Sequence, residues 1–190
     1  MNRYVLFLLI LVQGSIHASA KDWQFGALQQ LGISIADGRV SAFPQLINGV
    51  RYKNYFGGIG LAYEPGPRYY YSLQPPLIPL FLDGRAYFGR KLRYFALSDV
   101  GLNFIGFDEA LRGSDRYYYR RQSGYYLNIG LGMKSKLAGS VFYCFDLNYN
   151  ISSSRYQLYQ FNSQHQEWNT EQFIFQQQRI LLRLGIELND

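Results

Sequence analysis

The chain has 190 residues, a formal net charge of +6, a single cysteine and two histidines. One cysteine excludes an internal disulfide, and so few Cys and His residues leave no set at ligand spacing for a metal centre. The basic residues are scattered, with no basic run and no recognition helix, so no nucleic acid partner is expected.

Met1 to Ala20 carries Arg3, an apolar run from Tyr4 to Val12 and the small-residue stretch Ala18-Ser19-Ala20. This is the pattern of a cleaved secretory signal peptide, and the apolar run is too short to span a bilayer as a helix. The expected division is residues 1–20 as signal peptide and residues 21–190 as one β-barrel domain.

The remaining chain alternates. The pattern predicts eight strands, near Trp23–Ile35, Arg39–Ile47, Tyr55–Tyr63, Leu77–Phe88, Tyr94–Ile105, Gly124–Lys136, Ser140–Ile151 and Phe173–Leu188. In the sixth, Tyr125, Leu127, Ile129, Leu131 and Met133 oppose Tyr126, Asn128, Gly130, Gly132 and Lys134. In the last, Ile180, Leu182, Leu184, Ile186 and Leu188 oppose Arg179, Arg183, Gly185 and Glu187. One face is therefore apolar, while the other carries glycines and ionised groups in series. That suits the crowded interior of a narrow barrel whose outside meets lipid. No other segment approaches a spanning helix, and only helices and closed barrels satisfy every backbone group within a bilayer. The 18 tyrosines and 14 phenylalanines fit aromatic girdles at two lipid boundaries. The predicted fold is all-β: an eight-stranded antiparallel up-and-down transmembrane barrel in a bacterial outer membrane.

Connection lengths set its orientation. Asn48-Gly49, Gly89-Arg90-Lys91-Leu92 and Leu137-Ala138-Gly139 read as tight turns, which belong on the periplasmic side. Glu64 to Pro76, Gly106 to Ser123 and Ser152 to Gln172 read as long polar loops, which belong outside. Ala36-Asp37-Gly38 departs from this, being a hairpin signal where an outer loop is expected.

The inward parity collects Asp83, Arg85, Asp99, Asn103, Lys134, Asp146, Asn148, Arg179, Arg183 and Glu187. Eight strands enclose a space just wide enough for side chains, and charges packed there must be paired. The reading is a structural plug, an ion network of Asp83, Arg85, Asp99, Lys134, Asp146, Arg179, Arg183 and Glu187, in preference to an ion path or proton relay. The glycines Gly58, Gly60, Gly101, Gly130 and Gly132 are expected to make room for long arginines. Cys144 is read as a small filler. Gly57-Gly58-Ile59-Gly60 fits no nucleotide fingerprint, and no cofactor is expected.

The turn Asn48-Gly49-Val50-Arg51-Tyr52 with Phe56-Gly57-Gly58-Ile59-Gly60-Leu61-Ala62-Tyr63, and the strand from Leu77 to Phe88, resemble the small outer-membrane β-barrel domain family common in Bacteroidetes-type bacteria. The likeness covers essentially the whole mature chain. It implies an architecture similar to OmpA-like and OmpX-like barrels and roles in adhesion, envelope integrity or surface defence. The positive surplus, with no basic run for nucleic acid, points to membrane lipid headgroups and lipopolysaccharide phosphates as partners, and the resemblance implies the barrel-assembly machinery during biogenesis. The ending Leu188-Asn189-Asp190 departs from the terminal aromatic of many proteobacterial barrels.

Specific function is expected in the loops. Arg68-Tyr69-Tyr70-Tyr71 and Arg116-Tyr117-Tyr118-Tyr119 repeat one tetrad, and Arg155, Tyr156, Tyr159 and Trp168 add a third aromatic-basic cluster. Such groups would stack on and hydrogen-bond a sugar, a lipopolysaccharide or a host protein. The preferred reading is an outer girdle with arginines reaching to headgroups, because tyrosines near strand ends already have a reason to be there. No catalytic residues are assigned. A rim lipid hydrolase or acyltransferase would have to use His165 with Ser163 and Glu167, yet neighbours on one loop rarely form a triad. The other alternative is a secreted lipocalin-like ligand-binding barrel, in which the apolar parity would line a cavity.

Overall fold

The computed structural model describes residues 23–36, 39–64, 68–69, 72–73, 76–89, 93–105, 111–114, 117–162 and 167–189. The segment read as a signal peptide lies outside them, as do Tyr70, Tyr71, Arg116, Ser163 and His165. Every regular element described is a strand. Eight of them form the wall: β1 (Trp23–Ala36), β2 (Arg39–Tyr52), β3 (Tyr55–Ala62), β4 (Leu77–Phe88), β5 (Arg93–Ile105), β6 (Gly124–Ala138), β7 (Val141–Asn162) and β8 (Glu167–Asn189). Each pairs antiparallel with its sequence neighbours, and β8 pairs with β1 to close the ring.

The register can be followed once around the wall. From Phe25 the partners run Val50, Gly57, Gly84, Ser98, Ile129, Tyr149 and Ile180, and Ile180 pairs with Ile35 on β1. The circuit returns ten residues further along its starting strand, from Phe25 to Ile35. At ordinary strand spacings, that stagger over eight strands tilts them by about 40° from the barrel axis.

Alternation then sorts the side chains. Leu31, Ile59, Leu82, Val100, Ile129, Leu131, Leu147 and Leu184 are exposed on the outer surface, while the opposite parity is buried. In a water-soluble fold this would be a large unsatisfied apolar surface. The lipocalin-like arrangement does not form, because the aliphatic parity lies on the outside and the lumen holds charged groups and aromatic rings instead of an apolar cavity. Exposed aromatics stand near both ends of the wall. Trp23, Tyr55, Phe88, Tyr94 and Tyr143 lie near the tight turns, and Tyr63, Phe104 and Tyr125 near the opposite end.

Three expectations are corrected. Asn48-Gly49 is not a turn: β2 continues to Tyr52 and the chain reverses at Lys53 and Asn54, where Lys53 has a φ of 53°. Gly49 instead lies between Gly26 on β1 and Gly58 on β3, where a Cβ would come within 2.3 Å of the Gly57 carbonyl oxygen. The glycine thus marks a close approach between strands. Second, the last long loop is largely strand. β7 has 22 residues and β8 has 23, and their outer parts stay paired from Ser153↔Gln176 to Asn162↔Glu167. The strand Tyr117–Gln122 adds to the edge of that ribbon against Arg155–Gln160, and Leu111–Ser114 pairs with it in turn. Third, none of the five inward glycines makes room for an arginine: Gly58 and Gly101 face backbone carbonyls, Gly130 faces the Asn148 side chain, and Gly60 and Gly132 face aromatic rings. A Cβ on Gly60 would meet the Phe81 ring, and one on Gly132 the Phe95 ring, each at 2.3 Å.

Candidate functional site: a charged lumen

Because inward positions recur every second residue on eight staggered strands, their side chains converge on one narrow axis. Among the described residues the buried charged groups are Arg51, Arg85, Lys134, Arg179 and Arg183 with Glu64, Asp83, Asp99, Asp146 and Glu187. Five cations thus accompany five carboxyl groups.

They are arranged in three tiers. At the tight-turn end, the Lys134 ammonium donates to Glu187, which also receives the Tyr87 hydroxyl and the Cys144 thiol at 3.4 Å each. Arg51 sits beside them with its guanidinium carbon 4.3 Å from the Tyr87 ring centroid. Its Nε and Nη2 are buried and have no hydrogen-bond partner among the described residues.

The central tier is the most connected. Arg85 forks onto Asp83, with Nε and Nη2 at 2.9 and 2.8 Å. Arg183 donates from Nε to Asp146 at 2.5 Å, and from Nη1 to Asp99 at 3.1 Å and to Gln45 at 3.0 Å. Gln30 donates to Asp146 at 2.6 Å and accepts from Gln45 at 2.5 Å, while Asn128 donates to Asp99 at 2.7 Å. Asn148 completes the tier by donating to Asp146 and accepting from Arg183.

At the long-connection end Arg179 donates to Glu64 at 2.5 Å and to Asn150 at 2.8 Å. Glu64 is held in place by an isolated bridge, its backbone N–H donating to Leu77 at 2.8 Å and its carbonyl accepting from Leu77 at 2.9 Å. Asn103 lies in the same region and donates to the Ser153 carbonyl at 3.4 Å.

Aromatic rings lie between the tiers. Tyr126 contacts Phe43 and Phe81 with centroids 6.4 and 5.3 Å apart, and Arg179 stacks on Phe43 at 5.2 Å. On the other side Arg85 lies over Phe95 at 5.1 Å, and Phe95 meets Tyr87 at 5.4 Å. Charged groups in a low-dielectric interior keep favourable energy only when paired and hydrogen-bonded. Stacking cations on ring faces adds to that at the tier boundaries.

All eight lumen residues named from the sequence are buried here, and the structure brings together Asp83 with Arg85, Lys134 with Glu187, and Arg183 with Asp99 and Asp146. Arg179 finds Glu64, a residue that sequence reasoning placed in a loop. Arg51 was missed because Asn48-Gly49 read as a turn. The signal was nonetheless present, since Ile47, Gly49 and Arg51 share one parity. Gln30 and Gln45 were also missed, being neutral residues with no charge to draw notice.

Arg68 and Tyr69 lie in a two-residue strand paired with Ser72–Leu73, and Tyr117, Tyr118 and Tyr119 lie in the strand on the ribbon edge. Glu167 opens β8, whereas Ser163 and His165 are outside the described residues. No grouping of three or more metal-ligating side chains occurs among the described residues.

No protein-family model matches the sequence, and no curated protein matches it. Its fold is similar to that of Neisserial surface protein A, with 12% identity over 90% of this chain and 99% of that one at a TM-score of 0.53. It is likewise similar to a major outer membrane protein from Thermus thermophilus, with 11% identity over 88% of this chain and 99% of that one at a TM-score of 0.57. The outer membrane protein AlkL, determined in lipid bilayers, shares 11% identity over 94% of this chain and 96% of that one at a TM-score of 0.54. The chain therefore has the closed antiparallel barrel fold that these proteins share.

Proposed function

We propose that the protein is a non-enzymatic barrel of the bacterial outer membrane, acting in envelope structure or surface interaction, with a lumen sealed by its own side chains. The observation that carries this reading is the pairing of a buried, charged, hydrogen-bonded interior with an apolar outer wall. A charged core inside an apolar surface is stable where the surrounding solvent is lipid. The exposed aromatics near both ends of the wall suit two interfacial girdles, and the likeness to outer-membrane barrels agrees with that placement. In this reading tight turns and termini face the periplasm and the ribbon stands outside. The chain would take its place beside the Bacteroidetes-type, OmpA- and OmpX-like small barrels, with lipid, lipopolysaccharide and the assembly machinery as its partners. The segments around Arg68 to Tyr71 and Arg116 to Tyr119 would meet a surface ligand or host protein.

The test uses the refolded protein in bilayers. Planar recordings should show little steady conductance, since the three tiers and their intervening rings fill the lumen. A large, stable open channel would overturn the sealed-lumen reading. A parallel assay follows release of fatty acid from labelled phospholipid or lipopolysaccharide. His165 is the sole histidine after residue 20, so any histidine-based rim hydrolase must lose turnover in His165→Ala. Turnover that disappears with that change would replace the proposed function. Absence of turnover, with surface binding lost when Tyr117, Tyr118 and Tyr119 become Ser, would support it.

A further inference from the structure

The central tier contains three carboxyl groups, Asp83, Asp99 and Asp146, but only two guanidiniums, Arg85 and Arg183. The other lumen cations are engaged elsewhere: Arg179 on Glu64, Lys134 on Glu187, and Arg51 against Tyr87. From Arg51 to Arg85 the chain of contacts passes through two rings, Tyr87 and Phe95. Within the tier each arginine already has a carboxylate of its own. Arg85 takes Asp83 through its fork, and Arg183 takes Asp146 at 2.5 Å.

Asp99 is the group left over. Its Oδ2 accepts from Asn128 at 2.7 Å and from Arg183 at 3.1 Å, while its Oδ1 is buried with no donor among the described residues. Directly across the β4–β5 pair stands Asp83, its Cα partner, on the same inward face. Two ionised carboxylates so placed would repel each other in a dry interior. Cβ atoms of such cross-strand partners stand about 4.5–5.5 Å apart, close enough for one carboxyl group to reach the other across the pair. The remaining polar groups packed against the tier are Gln30 from β1, Gln45 from β2, Tyr126 and Asn128 from β6, and Asn148 from β7. None of these brings a charge.

We propose that Asp99 is a carboxylic acid in the folded barrel, its Oδ1–H donating to the Asp83 carboxylate. The central tier is then two ion pairs, Asp83 with Arg85 and Asp146 with Arg183, bridged by one neutral acid. Every charge in the tier is matched, and Oδ1 gains the partner it lacks.

Infrared spectroscopy of the full chain refolded in lipid bilayers tests this. At neutral pH the wild type should show a buried carboxylic-acid carbonyl stretch that disappears in Asp99→Asn and persists in Glu187→Gln, a change in another tier. Asp99→Asn should fold with a urea midpoint at least equal to wild type, since its amide donates where the acid did. No acid band in the wild type, or one that survives in Asp99→Asn, would overturn the assignment. So would a midpoint that rises with added divalent cation in a protein without the band, because a metal would then hold the pair. If Asp99→Asn does not fold, the wild-type band together with its retention in Glu187→Gln decides. The inference rests on a filled central tier, and conductance reads that separately: an open channel with the band present would overturn the sealed lumen and leave the acid assignment standing.

Discussion

Arg183 is the residue on which the interior converges, since one guanidinium bonds Asp146, Asp99, Gln45 and Asn148 and is fully buried. Removing one member of a buried pair strands its partner, so Arg183→Met is expected to destabilise by about 3–5 kcal/mol, measured by urea unfolding in lipid. Changing Asp146 to Leu in the same chain should recover much of that loss, because a well-packed apolar replacement leaves no unpaired charge. A second contrast tests the close approach of strands. A Cβ on Gly101 would lie 2.1 Å from the Leu80 carbonyl oxygen, a backbone atom that cannot swing aside, whereas one on Gly57 meets nothing within 4 Å. Gly101→Ala should therefore cost about 1–3 kcal/mol by overpacking, and Gly57→Ala should stay within about 0.5 kcal/mol of wild type. At this scale parity alone exposed the inward acids and bases. Partner identity was not legible, because Arg179 and Glu64 meet across 115 positions of sequence.

Each wall strand has an outer face whose solvent can be tested. Leu131 and Leu184 are 65% and 59% exposed, which is sensible only if lipid covers them. An arginine at either position should destabilise by about 2–4 kcal/mol near the bilayer midplane and by less towards the ends, read by folding into lipid vesicles. Asn128 is no milder host for arginine, being fully buried with its amide on Asp99. The ribbon is a different kind of element. A tilted membrane strand needs only about 9–11 residues, so the outer halves of β7 and β8 are surplus to crossing and are held by pairing with each other and with Tyr117–Gln122. Replacing residues 155–173 by a short turn should leave a barrel that still resists detergent, while removing whatever surface binding the ribbon provides. An unfolded product would show that the ribbon supports the wall. The ribbon read as loop because its Gln- and Tyr-rich stretch lacks alternation. Pairing to a neighbouring strand makes it strand.

Closure is a property of the whole ring. Every wall strand depends on two neighbours, and β8 joins the first strand to the seventh. Truncation after Gln178 removes the part of β8 that pairs with β1 and leaves two open edges, whose backbone groups have no partner in hydrocarbon. The intact chain should migrate faster on a detergent gel before boiling than after it, and the truncated chain should show no such difference. A heat-modifiable band from the truncated chain would mean that seven strands suffice.

The chain's own pattern determined much of this protein. Period-two alternation encodes which side of each strand is apolar, local turn chemistry encodes where most strands end, and both are local properties that need no partner to be read. Leu77–Phe88 illustrates it, since its predicted limits coincide with those of β4. What only the tertiary structure decided is everything that depends on stagger. The ten-residue offset around the ring sets which inward residues share a level, placing Asp83 opposite Asp99, Arg179 beside Glu64 and Arg51 on Tyr87. Alternation is unchanged when a pair of strands slides by two residues, so it carries no record of that offset.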